Sequence, residues 1–339
     1  MSRYPYDTQS DVGIGQAVAK RAIAERAVAI LGTTQSSVTM ATTAIAERAG
    51  IPHIVTGSAA PEITARDYRC TFRVVTLPGT VLASLFPMLQ YLFQTAGIPL
   101  KSFVSVYSEP GLGQFYSSTL RPLAQEAGIS YADVPFEPQA AGMAGAAARL
   151  KTLDVQVVNF EGYASDAALF VAALKAADVN PALVIPSTGA ADAGFMQAVG
   201  TRDAEGFASL TYYNPDVRPT GNPGGPRRFH DAYTRQFGDP AILGPLGYTG
   251  LRTLAKALED AGSTEPRKLR DALAAVELRH EDGHILPSAM VKFGADGENL
   301  YANTPYVQLI RGQPELVWPP DYATAKPVLP MPTCREKAL

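Results

Sequence analysis

The residues best suited to chemistry in this chain are small hydroxyls and tyrosines placed where apolar runs end. Ser36 follows the run 28–31 and Gly32, and Ser58 follows the run 53–56 and Gly57. Tyr107 closes the run 103–107, Tyr163 follows 155–160, Ser187 and Thr188 follow 183–185, and Tyr212 lies in 207–213. Turns favour Ser, Thr and Gly, so each residue alone is ordinary. Lining the same edges of two sheets, they would form a cleft of hydroxyl donors and ring faces. Such a cleft suits a small organic acid, with donors for the carboxylate and ring faces for an apolar body. Ser36 and Ser58 also stand where hydroxyls and free helix N-terminal amides hold an anion.

Other chemistries find less support. Gly13-Ile14-Gly15 and Gly111-Leu112-Gly113 begin like a dinucleotide fingerprint, but Val18 and Tyr116 occupy the third glycine's place. Neither a phosphate-binding GxxxxGK[ST] nor a GxSxG nucleophile elbow is present. His280-Glu281-Asp282-Gly283-His284 has the residue types of a metal site. Two histidines in one short stretch with no matched further ligand read better as a solvated loop. His53 and His230 have no Ser or Cys set beside them in a nucleophile's pattern. No catalytic constellation emerges, and the expectation is a protein that is not an enzyme and needs no cofactor or metal.

The elements that must position these residues repeat one grammar. Residues 28–31 read as a strand, 33–37 as a polar turn, and the segment to Ala49 as a helix stopped by Gly50; residues 53–56 are the next strand. That order is the unit of a parallel α/β layer, and its turns fall at the carboxyl ends of strands, where open α/β sheets bind ligands. Before it, Ile14, Ala17, Val18 and Ala22 mark one helix face. After it come a strand at 71–75 and a helical stripe of Leu82, Leu85, Phe86, Leu89 and Phe93, with Pro87 expected to kink it. A second series runs from 103 to 213, predicting parallel sheets covered on both faces. Beyond Tyr213 the grammar changes to a Pro/Gly-rich loop, helices near 226–236, 245–261 and 265–276, and strands at 289–293, 306–310 and 315–318. A Pro-rich tail then reads as extended on the surface.

The 339 residues suffice for two domains. Charged residues are 18% of the chain, below the usual share of about 25%, which argues for a folded interior rather than disorder. The net charge of −3 and the lack of a basic tract argue against nucleic acid as a partner. No apolar run reaches the roughly 18 residues of a membrane span. The N-terminal stretch has no basic-then-apolar export signal. Cys70 and Cys334 are read as two free thiols.

Seven segments together resemble the leucine/isoleucine/valine-binding group of ABC-transporter solute-binding proteins, which have the type I periplasmic-binding-protein fold. They are DTQSD (7–11), AILGTTQSS (29–37), IPHIVTGSAAPEIT (51–64), VYSEPGLGQ (106–114), GYTGLRTLAKALEDAGS (247–263), VKFGADGEN (291–299) and QLIRGQPELVWP (308–319). Each is soft; their order and spacing from about residue 7 to 320 are specific.

The resemblance implies an α/β fold of two doubly wound parallel-sheet lobes with a ligand cleft between them, closed by hinge motion. It divides the chain into a first lobe of 1–103 and 214–302, a second lobe of 104–213 and 303–330, and a tail of 331–339. It implies that Ser36 holds a ligand carboxylate, that Gly57, Ser58 and Ala59 supply backbone and hydroxyl groups, and that Tyr163 lies over the ligand. Ala59 replaces the hydroxyl residue of the amino-acid binders, and Ser58 is expected to substitute for it. With Tyr107, Ser187 and Thr188 these complete the candidate ligand set. It also implies a monomer in the periplasm or another extracytoplasmic space, with a small-molecule carboxylate ligand and a membrane permease as partners.

Two departures stand out. Ser187 occupies the place of the acidic residue that pairs with the ammonium in the amino-acid binders. An unpaired ammonium in a closed cleft is costly, so the expected ligand is an acid that need not carry an amino group, unless Glu161 compensates. The chain also begins almost at the DTQSD-like turn, so the reading is of a first lobe without a signal or its first βαβ unit, leaving a sheet edge unpaired. Two alternatives remain: a ligand-sensing regulatory domain of the same fold, and an α/β enzyme.

Overall fold

The computed structural model describes residues 5–108, 112–137, 140–162, 164–187, 189, 193–238, 240, 243–303 and 305–338. In chain order the first elements are α1 (Val12–Ala24), β1 (Ile30–Leu31), α2 (Ser36–Ala49), β2 (His53–Val55), β3 (Thr71–Arg73) and α3 (Pro78–Thr95). There follow β4 (Ser102–Ser108), α4 (Leu112–Glu126), β5 (Ser130–Phe136), α5 (Ala140–Leu153), β6 (Val157–Glu161), α6 (Ala164–Ala177), β7 (Leu183–Pro186), α7 (Ala193–Val199) and β8 (Ala208–Leu210). The chain ends with α8 (Gly225–Phe237), α9 (Leu243–Ala261), α10 (Pro266–Ala275), β9 (Tyr306–Ile310), β10 (Gln313–Trp318) and α11 (Cys334–Ala338).

These elements form two compact units. One comprises Met1–Val81 and Tyr212–Asn303, the other Leu82–Thr211 and Thr304–Leu339. The first boundary falls inside α3 rather than at 103. The cause is the apolar stripe of that helix. Leu85, Leu89 and Phe93 bury against Phe103 and Leu120 in the core of the second unit, so the helix follows its hydrophobic face. α3 also runs through Pro87 as a single helix.

In the first unit, β1, β2 and β3 form a parallel sheet in that order. Each element has a local cause. The Asp11 carboxylate accepts the Ile14 N–H at 2.8 Å and starts α1. Gly50, at φ 68°, ends α2 in the left-handed conformation. The core beneath the sheet is Ile54, Phe72 and Val74 packed with Leu254, Leu269, Leu273 and Val291. Residues 289–293 do not form the expected strand. Leu278 and Val291 make an isolated antiparallel bridge, as do Phe293 and Asn299.

The second unit holds a four-stranded parallel sheet, β5-β4-β6-β7, and a three-stranded antiparallel sheet, β10-β9-β8. Phe136, Phe160 and Phe170 stack in series, with centroids 5.3 Å and 4.5 Å apart. The tail is not simply laid on the surface. Met331 is buried and its N–H donates to the Ala182 carbonyl at 2.9 Å, and α11 follows. Among the described residues no helix is long and apolar enough to cross a membrane.

Candidate functional site

In the first unit the turns after β1 and β2 are one piece of structure. α2 begins at Ser36 with Gln35 as its N-cap, and the Gln35 side chain does not cap it. The amide N–H groups of Ser36, Ser37 and Val38 therefore find no acceptor among the described residues. Ser36 is half-buried there. Aligned helix dipoles make such an end favourable for negative charge.

Ser58 joins the second turn to the first. Its hydroxyl lies 3.0 Å from the Thr33 carbonyl oxygen and 2.9 Å from that of Thr34, and it also meets the Thr39 hydroxyl. Ser58 is 0% exposed. The expectation that its hydroxyl faces a ligand therefore does not fit: that group is turned inward and spent on the neighbouring turn. Gly57 lies where the two turns touch, since a Cβ on it would stand 3.3 Å from the Thr34 Cα. Ala59 is half-buried, and its N–H finds no acceptor among the described residues.

His53 and Arg73 brace this assembly from below. His53 is buried, and its Nε2 lies 2.9 Å from the Gly32 carbonyl oxygen. Burial pushes its pKa down to about 4, leaving a neutral ring. Arg73, also 0% exposed, reaches the Ser58 and Ala60 carbonyls and pairs with Glu298. Sequence reading missed both roles. Glu298 is 225 residues from Arg73 in the chain, and nothing local marks the pair.

In the second unit, Tyr107, Glu161 and Ser187 form a row across three strand ends. Tyr107 pairs in register with Glu161, and Phe160 with Pro186, so Glu161 and Ser187 are the next positions on β6 and after β7. Tyr107 is buried and Ser187 exposed. The Asn159 amide donates to the Glu161 carboxylate at 2.8 Å. Burial raises the Glu161 pKa, opposed by hydrogen bonds from Asn159 and the Ser187 side chain. Tyr163 and Thr188 lie outside the described residues. Tyr212 belongs to the first unit and packs against its core.

The histidine stretch is no solvated loop. His280 and His284 are buried. His280 Nδ1 faces the His284 carbonyl at 3.0 Å, and His284 Nε2 faces the Ser288 hydroxyl at 2.9 Å. Cys70 and Cys334 are free thiols.

A separate feature of the first unit is a groove of about 1670 Å³ along β1, lined by Val28, Leu31, Phe229, Tyr233, Leu243 and Leu251 among others. Among the described residues β1 pairs only with β2 and lies at an edge of its sheet.

The strand ends of these parallel sheets thus carry small polar groups and amides that find no acceptor among the described residues. Residues 4–312 match the profile of a family described as periplasmic binding protein. The chain belongs to that family. A leucine-, isoleucine-, valine-, threonine- and alanine-binding protein of Pseudomonas aeruginosa is 25% identical over 287 residues, 83% of this chain and 72% of that protein. A putative branched-chain amino acid ABC transporter protein from Silicibacter pomeroyi shares the fold with a TM-score of 0.79 at 20% identity, over 96% of this chain and 87% of that one. An ABC-transporter solute-binding protein from R. palustris, solved with benzoate, gives a TM-score of 0.65 at 20% identity, over 97% and 84% of the respective chains.

Proposed function

We propose that this chain is the solute receptor of an ABC importer and takes a small carboxylate, a branched-chain or aromatic acid or amino acid. The observation that carries the reading is the joined pair of turns in the first unit. They carry the uncapped amides of α2 and the Ala59 N–H, donors that find no acceptor among the described residues. Donors of that kind stabilise a carboxylate without a counter-charged side chain. The benzoate held by the R. palustris protein supports an acid without an amino group as the ligand class. Such a receptor would work outside the cytoplasm and deliver its ligand to a membrane permease.

The test is a thermal melt of the chain with benzoate, phenylacetate, leucine, isoleucine and valine. A ligand that binds only the folded state stabilises it by about 2.7 kcal/mol at a hundred times its Kd. The expected result is a raised midpoint with one class of carboxylate, confirmed by calorimetry. A midpoint indifferent to the whole panel would sink the proposal.

A further inference from the structure

Arg73 uses every donor it has. A guanidinium carries five N–H groups in a fixed planar fork. Nε donates to the Glu298 carboxylate at 3.1 and 3.2 Å. Nη1 donates to the Ser58 carbonyl at 3.2 Å and the Ala60 carbonyl at 2.8 Å. Nη2 donates to the Thr64 hydroxyl at 2.5 Å and to Glu298 Oε1 at 2.7 Å. The Thr64 hydroxyl closes the ring by bonding Glu298. Burying a charged pair gains little stability over apolar residues of the same volume. What this pair does accomplish is to hold the Ser58 and Ala60 carbonyls of the turn 57–60.

Holding a carbonyl fixes the amide beyond it. In a trans peptide the C=O and the following N–H point in opposite directions. With the Ser58 oxygen drawn to the buried guanidinium, the Ala59 N–H points away from it, and it is the N–H that finds no acceptor among the described residues. We infer that Arg73, held by Glu298 and Thr64, is a positioning residue that aims the Ala59 amide at the ligand's carboxylate. This rests on the receptor reading above. Lysine cannot replace it, because one ammonium cannot reach both carbonyls and the carboxylate in the fork's geometry.

The experiment uses the full chain labelled with ¹⁵N-alanine, as the parent, Arg73→Lys and Glu298→Gln, with benzoate and L-leucine as probes. In Arg73→Lys the Ala59 amide resonance shifts or splits while those of Ala44 and Ala46 in α2 stay in place. The affinity for the probe the parent binds falls about tenfold or more, a loss of about 1.4 kcal/mol or more. Glu298→Gln, which keeps the side chain's size and one acceptor oxygen, gives the same changes at smaller amplitude. A folded Arg73→Lys protein with an unmoved Ala59 resonance, or with the parent's affinity, overturns the inference. If Arg73→Lys does not fold, Glu298→Gln decides by the same two readouts. A parent that binds neither probe, nor any other acid of the melt panel, overturns the receptor reading and the ligand half of this inference. The Ala59 resonance then still decides whether Arg73 sets the turn.

Discussion

The Ser58 hydroxyl lies 2.9 Å from the Thr34 carbonyl oxygen, so the turn after β2 is fastened to the turn after β1 by a side chain that no solvent reaches. Ser58→Ala removes that donor and leaves the Thr33 and Thr34 carbonyls without it. The expected cost is about 1–3 kcal/mol of stability in the first unit, together with weaker carboxylate binding because the donors drift apart. Urea unfolding and calorimetry on the same variant measure both. A serine whose only task was to touch ligand would change the second and leave the first alone.

The buried histidines predict a loss of stability in acid. His53 and His284 are held neutral by burial, with pKa values near 4 and 3 against an ordinary 6.5. The unfolded chain therefore binds more protons than the folded one below pH 6.5. Their contribution is fully present above that value and is lost as pH falls toward 4 and then 3. Each histidine contributes a slope of up to about 1.4 kcal/mol per pH unit in its window. Denaturant unfolding of the first unit from pH 7.5 to 4.5 should follow that slope, and His53→Gln should flatten it. A pH-independent midpoint would contradict the neutral buried rings.

Glu161 predicts the opposite sign in the second unit. Burial raises its folded pKa above that of the unfolded chain. The folded state then holds the extra proton, so this contribution is present below the ordinary carboxylate range and is lost as pH rises through the raised value. Glu161→Gln, which mimics the protonated acid, should make the second unit more stable than the parent at pH 8 and indistinguishable from it at pH 4. Unfolding curves at the two pH values decide it. Equal stability at pH 8 would mean that the carboxylate is well solvated.

Thiol reactivity separates the two cysteines. Burial pushes the Cys70 thiol up to about 11, with the Glu47 carboxylate raising it further. Cys334 is only half-buried, and burial raises its pKa as well. Since the thiolate is the reactive form, a disulfide reagent at pH 8 should modify Cys334 slowly and Cys70 only in denaturant. Rapid modification of both in the native chain would show that the region around β3 opens readily.

What was legible in the sequence was local. The polar turn before α2, the glycine that ends it and the apolar stripe of α3 are each written within a few residues, and the family follows from their order. The partner of a stripe is not written locally: nothing near α3 says that its apolar face packs on Phe103 and Leu120 of the second unit. Ser58 shows the same limit at the site. A serine in a strand-end turn reads identically whether its hydroxyl faces outward or, as here, donates to carbonyls 24 and 25 residues away.

The groove along β1 yields the last prediction. Leu31, Leu243 and Phe237 are exposed by 39%, 49% and 66% around it. Among the described residues no strand pairs with the other side of β1. Apolar surface of this extent beside an open strand edge binds hydrophobic dyes and other chains. The native chain should therefore enhance the fluorescence of anilinonaphthalene sulfonate, and a Phe237→Ser/Leu243→Ser variant should lose most of that signal. Both side chains are substantially exposed, so the changes should leave the melting midpoint nearly unaltered. Placing Lys at Leu31 adds a charge to the edge and should suppress self-association at high protein concentration, as seen by light scattering. A native chain that binds no dye and stays monomeric at every concentration would show that in solution the groove closes on itself.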